Sequence, residues 1–251
     1  MDNLDKYYFN RWSQKLSWTD IGPTKKLRLK RLLMYIEKYF PNPEKITLID
    51  YGCGSGWLFY YLNEFGIKNM YGWDVVPGVL QEIKGKYPWV KNLYSSSIGK
   101  FSDVPAGVQF DLITSIEVVE HVPNQGKIDY LTSINKILKS EGFFYLTTPN
   151  GKFEKTGMDN YNQQPVEDWT RPREMKKILK RSDFKIIDSG SIYFKQNLSK
   201  THKLLMHRLV LRLFYITKLE RIYLRILDKT MCGLSTYFWC RKISNNEYVN
   251  N

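Results

Sequence analysis

Cysteine is scarce. The 251 residues hold three, Cys53, Cys232 and Cys240, with no CxxC pair. An odd count without regular spacing argues against a disulfide framework and fits a reducing compartment. Long apolar runs are missing too. The most apolar stretch, 204–227, is broken by Arg208, Arg212, Lys218, Arg221 and Arg225, so no segment is expected to span a bilayer. Residues 1–9 contain Asp2 and Asp5 and no apolar core, and are not expected to act as a secretory signal. There are no repeats and no low-complexity linker. Acidic residues are in the minority: 25 Asp and Glu against 38 Lys and Arg leave a formal net charge of +13. That balance favours anionic partners (nucleic acid, an acidic membrane face or phosphorylated substrates) and carries no information about fold. The expected location is cytoplasmic, with any peripheral contact at the inner face of a membrane.

What is present is enough for a packed core: 43% hydrophobic residues and 15% aromatics, the latter expected to line a pocket or a face. Residues 24–40 read as a helix capped by Thr24, with Leu27, Leu32, Leu33, Ile36 and Phe40 as its apolar stripe and Pro41 as its stop. Strands then alternate with helices. Strands are expected at 45–50, 70–74, 90–94, 110–115, 142–148, 184–193 and 235–242; helices at 57–65, 77–86, 125–139 and 171–181. This order predicts an α/β fold, a doubly wound and mostly parallel sheet with helices on both faces. A basic and apolar helical insertion at 199–232 precedes the last strand. The expected division is an N-terminal lid and cap helix over 1–44, then a single domain over 45–251.

The sharpest motif is Asp50-Tyr51-Gly52-Cys53-Gly54-Ser55-Gly56, placed where the first strand gives way to a helix. Glycines there allow positive φ and close approach of backbone to a ligand, and the helix that follows presents free N–H groups. A dinucleotide fingerprint, G-x-G-x-x-G counted from Gly52, would need a third glycine where Trp57 stands, which weakens that reading. Asp74 ends the second strand, about 20 residues on, where a carboxylate can accept both hydroxyls of an adenosine ribose; Val75 can pack on the adenine.

Asp50, Gly52, Gly54 and Gly56 followed by Asp74 resemble the class I S-adenosylmethionine-dependent methyltransferases, and the resemblance covers roughly residues 45–195. It implies a seven-stranded Rossmann-like sheet with the last strand antiparallel. It implies S-adenosylmethionine along Asp50, Gly52, Cys53, Gly54 and Gly56, with its ribose on Asp74, its adenine near Val75, and Ile116 as a further contact. Many relatives carry an acid near the adenine amine after the third strand; this chain has Ser95-Ser96-Ser97-Ile98 instead, with Ser97 the candidate contact.

After the fourth strand comes Glu117-Val118-Val119-Glu120-His121. On a helix, Glu117, Glu120 and His121 would share one face at the carboxyl edge of the sheet, where ligands bind in such folds. Two carboxylates and an imidazole can hold a divalent cation, Mg²⁺ or Mn²⁺; alternatively they form the active-site wall, with His121 as a general base. The cluster is similar to one in the ubiquinone-pathway O-methyltransferases and to one in the small-RNA 2′-O-methyltransferases, and both resemblances imply a metal near the acceptor oxygen. Pro165 stands where the small-RNA family places a further histidine ligand.

The acceptor is expected against Asn150, Tyr161, Asp168 and Trp169 in the loop after the fifth strand, and against Tyr8 and Trp12 of an aromatic N-terminal lid. The basic stretch 200–229, with Leu205, Leu209, Leu213, Ile216, Leu219, Tyr223 and Ile226 interleaved, suits an anionic membrane interface, RNA phosphates, or packing on the domain. The leading function is O-methylation of a small-molecule or lipid-linked hydroxyl, such as a quinone precursor or a saccharide. RNA 2′-O-methylation is the alternative, and a non-catalytic cofactor-binding scaffold the third reading.

Overall fold

A computed structural model describes residues 21–95, 104, 107–153, 166–192, 210, 213, 220–231 and 233–243. Helix α1 (Pro23–Tyr39) leads into β1 (Thr47–Tyr51), α2 (Trp57–Glu64), β2 (Asn69–Trp73), α3 (Pro77–Lys86), β3 (Asn92–Tyr94) and β4 (Phe110–Ile116). There follow α4 (Lys127–Ile137), β5 (Leu138–Pro149), α5 (Pro172–Arg181), β6 (Phe184–Ile192), α6 (Glu220–Lys229) and β7 (Ser235–Lys242). The strands form one sheet in the order β3-β2-β1-β4-β5-β7-β6. β7 runs antiparallel to both neighbours and the remaining pairs are parallel.

The expected α/β sheet is therefore present, and its central strands explain themselves. β1 and β4 are apolar on successive residues rather than on alternate ones, because helices cover both faces. One apolar cluster joins Leu48, Leu112, Tyr145 and Trp239 to residues of α1, α2 and α3; the other joins Ile49, Ile113, Phe144 and Leu146 to residues of α4 and α5. Strand order reverses between β1 and β4. The crevice at their carboxyl ends is the topological switch point where ligands bind in open α/β sheets.

Three local expectations need correction. The first helix starts at Pro23 with Gly22 as its N-cap and no side-chain cap bond, so Thr24 is not the cap. Its buried stripe is Arg28, Leu29, Leu32, Tyr35 and Ile36; Leu27 is 41% exposed. The helix expected over 125–139 stops at Ile137, because Leu138 is buried and its backbone pairs with Phe110 of β4.

Many of the aromatics fix α1 to the sheet rather than line a pocket. Tyr35 stacks on Trp239 at 4.7 Å, and Tyr39 and Trp239 meet Phe143 at 4.8 and 5.2 Å. The Tyr35 hydroxyl donates to Asp188 of β6 at 2.8 Å. Tyr35→Ala is expected to lower unfolding free energy by about 3–5 kcal/mol, the usual cost of emptying a buried aromatic site, as read from urea unfolding; a loss of about 1 kcal/mol or less would mean that α1 is held mainly elsewhere.

Candidate active site

The switch-point crevice begins with the glycine turn. Gly52, Gly54 and Gly56 have φ of 87°, 48° and 69°, all left-handed, which only glycine adopts freely. Gly52 is also sterically closed: a Cβ there would lie 2.4 Å from Val118 Cγ2. α2 starts at Trp57 with Gly56 as N-cap and no side-chain cap bond, so backbone N–H groups remain for a ligand.

Asp74 follows β2 and is 7% exposed. Its Oδ2 accepts the Gly54 N–H at 2.8 Å and its Oδ1 the Val76 N–H at 3.1 Å. Asp50, 3% exposed, accepts the Thr114 hydroxyl at 2.7 Å. Burial pushes Asp50 up to about 7 and Asp74 up to about 6, against the hydrogen bonds that pull both down. Cys53 is buried beside them, its thiol also raised by burial. Val75 and Ile116 are half-buried at the same edge. A turn of left-handed glycines, an uncapped helix start and a buried carboxylate fit the methionine and ribose parts of S-adenosylmethionine.

The acid and histidine segment differs from expectation. Glu117 has φ of 58° and ends β4; Val119–His121 is a short 3₁₀ turn, not part of an α-helix. The left-handed φ at Glu117 breaks the helical spacing at its first residue. Glu117 Oε2 pairs with Arg28 of α1 at 2.5 Å, and its Oε1 accepts hydroxyl protons from Thr147 and Ser235 at 3.0 Å each. Glu120 is buried and accepts the Thr148 hydroxyl at 3.1 Å. Burial first, then the Glu117 charge, holds its carboxyl well above the usual range.

His121 Nδ1 lies 3.0 Å from the Val166 carbonyl. A carbonyl only accepts, so Nδ1 carries a proton in this contact. Nε2 is 3.9 Å from Glu120 Oε1, and Nδ1 is 3.7 Å from Glu167 Oε1.

The structure thus joins Glu120 and His121 to Glu167, a residue that sequence reasoning passed over although it adjoins Asp168 and Trp169. Arg28 was also missed: it sits in a helix pattern with nothing to mark it. Among the described residues no group of three or more His, Cys, Asp or Glu side chains is arranged to hold a metal ion. Glu117, Glu120 and His121 as placed do not fit a shared divalent cation, because Glu117 is turned to Arg28.

On the acceptor side, Asn150 is fully buried. Its Nδ2 donates to the Met231 and Gly233 carbonyls at 3.0 and 2.8 Å, and its Oδ1 accepts the Lys152 N–H at 3.2 Å. Its amide is committed to the loop before β7, not to the crevice. Trp169 is 5% exposed and its indole N–H donates to Glu167 at 2.6 Å. Tyr8, Trp12, Tyr161 and Ser97 lie outside the described residues.

Ribose hydroxyls held at Asp74 would donate to it and would need its charged form. Affinity for S-adenosylhomocysteine is therefore expected to fall as pH drops through about 6. Without ligand the sign is opposite: both raised carboxyls favour the folded state at low pH, and that contribution is lost as pH rises through about 6 and about 7. Calorimetric titration from about pH 5 to about pH 8 checks this. Asp74→Asn should abolish the pH dependence and weaken binding by about tenfold or more, the worth of a hydrogen bond to a charged group; a flat profile in the parent protein would count against Asp74 as the ribose ligand.

Comparison with known proteins agrees with this geometry. Residues 24–189 match the model of a methyltransferase domain family. A mitochondrial ubiquinone biosynthesis O-methyltransferase of Dictyostelium discoideum is 31% identical over 182 residues, 61% of this chain and 54% of that protein. The Candida albicans protein of the same name is 27% identical over 177 residues, 61% of this chain and 52% of its own length. The match thus spans about half the length of these curated relatives. The crystal structure of a SAM-dependent methyltransferase from Archaeoglobus fulgidus superposes with a TM-score of 0.57 at 18% identity, covering 85% of this chain and 94% of that one. The chain belongs to the methyltransferase domain family, and its fold is that of the S-adenosylmethionine-dependent methyltransferases.

Proposed function

We propose that this chain transfers a methyl group from S-adenosylmethionine to the hydroxyl of a small-molecule or lipid-linked acceptor. The observation that carries this reading is the imidazole of His121, held with its Nδ1 proton on the Val166 carbonyl at 3.0 Å, at the end of β4 beside the glycine turn. The names of the ubiquinone-pathway relatives support the same reaction class.

Gly52, Gly54 and Gly56 with Asp50 and Cys53 cradle the amino-acid end of the cofactor, Asp74 holds its ribose, and Val75 and Ile116 flank its adenine. When bound, the cofactor supplies a sulfonium methyl as electrophile. His121 accepts the acceptor's hydroxyl proton at Nε2, so the oxygen attacks with anionic character. The resulting imidazolium is stabilised by the carboxyl of Glu167, 3.7 Å from Nδ1. No metal is needed for this proton transfer, and none is assigned to Glu117. We read residues 1–44 as lid and cap; Tyr8 and Trp12 of that segment lie outside the described residues. Residues 45–251 are the catalytic domain, and 199–232 an insertion within it.

A specific observation bears on how a lipid-linked acceptor would arrive. α6 exposes Ile222 and Ile226 by 54% and 56%, one helical turn apart, on an open groove shared with Lys229 and Thr230. Its neighbours in the sequence are rich in Lys and Arg. An apolar ridge with basic flanks suits the surface of an anionic bilayer; no helix among the described residues is long and apolar enough to cross one.

His121→Gln should keep cofactor affinity by calorimetry yet lower methyl transfer to a catechol probe by about 10²–10⁴-fold, the range for general-base loss; retained turnover would overturn the assignment. Ile222→Ser/Ile226→Ser should weaken sedimentation with phosphatidylglycerol vesicles while phosphatidylcholine vesicles bind neither protein. Equal binding by the variant would remove the membrane from the reading.

A further inference from the structure

We infer that Lys127 is a positioning residue for the acid–base site, an internal ammonium that fixes the 166–170 loop and thereby the protonation form of His121. This rests on the general-base reading above and extends it to a group that touches no substrate.

Lys127 opens α4 and is completely buried. Its Nζ donates to the Asp168 carbonyl and the Thr170 hydroxyl at 2.6 Å each and to Asn124 Oδ1 at 3.0 Å, with Asp168 Oδ1 at 3.3 Å. A compact ammonium with three rotatable donors suits such an oxygen cage; the planar guanidinium of arginine does not. Burying a charge is costly unless it is paired and hydrogen-bonded, and an apolar side chain would fill the volume more cheaply. What the ammonium adds is direction: it gathers oxygens from two segments distant in sequence.

Those segments are the turn after β4 and the loop before α5. The second has no regular secondary structure over 166–170, so its shape is set by its attachments. Besides Lys127 these include the Asp168 N–H on the Glu120 carbonyl at 2.8 Å, the Asn124 N–H on Asp168 Oδ2 at 2.9 Å and the Gly151 N–H on the Thr170 carbonyl at 3.3 Å. The loop so held delivers two groups to His121: the Val166 carbonyl at 3.0 Å from Nδ1, and Glu167 at 3.7 Å. Glu167 is itself oriented by the Trp169 indole at 2.6 Å. The Val166 carbonyl is what keeps the proton on Nδ1. Without it the imidazole reverts to the Nε2–H form that predominates in water, and Nε2 loses the lone pair that the reaction uses.

The test reads that proton directly. The sequence has three histidines, so the ¹⁵N imidazole spectrum is simple, and the His121 signals are identified by their loss in His121→Gln. The parent protein should show a protonated Nδ1 and an unprotonated Nε2. Lys127→Met should retain affinity for S-adenosylhomocysteine, whose turn and Asp74 lie across β1 from the loop, yet move the His121 nitrogens toward the solvent pattern. Turnover of a catechol should fall about 10²-fold, the scale of a ~1 Å misplacement.

Unchanged His121 nitrogen shifts in a Lys127→Met protein that binds cofactor overturn the inference, whatever the turnover. Should that variant fail to bind, Thr170→Val decides, since it removes one of the two shortest bonds at nearly constant shape: a partial shift supports the inference and none refutes it. The general-base reading fails separately, on retained turnover in His121→Gln.

Discussion

A carboxylate at the end of β2 with only 7% of its surface exposed has to be satisfied largely by protein, and the partners Asp74 finds are the backbone N–H groups of Gly54 and Val76. This one constraint ties the tip of the second strand to the turn after the first. It explains why Gly54 takes a left-handed conformation, since its N–H must point back across the crevice. The turn so shaped leaves no room at Gly52, where Val118 occupies the space of a Cβ. Val118 in turn belongs to the segment that carries Glu117, Glu120 and His121. Asp74, the glycine turn and the segment that carries His121 are thus linked by a hydrogen bond and a steric contact.

The other side of the crevice repeats the logic with more charge. Glu117 is neutralised by Arg28 and by two hydroxyls; Glu120 is left with one hydroxyl and a strong penalty for ionising. Two carboxyls three residues apart thus sit in different surroundings: Glu117 forms the ion pair with Arg28, while Glu120 is buried and raised chiefly by that burial. The difference is set by a helix far away in sequence, α1, which brings the guanidinium.

Most of the fold and the cofactor crevice are legible in the sequence itself. Strand boundaries at Ser235–Lys242 and the helix Pro77–Lys86 follow from apolar runs bounded by glycine and proline. The glycine turn and Asp74 are readable because their spacing is local and tied to backbone geometry. The Glu117–His121 segment misleads because helical spacing does put those residues on one face, yet the left-handed φ of Glu117 breaks that spacing at its first residue. Asn150 misleads for a different reason. A polar residue after a strand looks like a ligand contact, and the partners that absorb it, the carbonyls of Met231 and Gly233, lie about eighty positions on. Arg28, Lys127 and Glu167 are illegible because each acts through a contact distant in sequence, and no periodicity records such a pairing.

α1 draws these parts together. Lys25 lies over the Trp57 ring at 5.2 Å, Arg28 pairs with Glu117, Arg31 reaches Asp228 of α6 at 2.8 Å, and Tyr35 reaches Asp188 of β6. These four positions fall at intervals of three or four residues, so they share one helix face over roughly 15 Å. Along that face one helix touches the start of α2 at the glycine turn, the acid after β4, and the base of the basic insertion. Asp228 is held equally firmly from below, by the Ser191 N–H and the Tyr237 hydroxyl at 2.9 Å each, over Gly190, where a Cβ would lie 2.1 Å from its Oδ1. α6 is therefore fastened to the sheet and to α1 together.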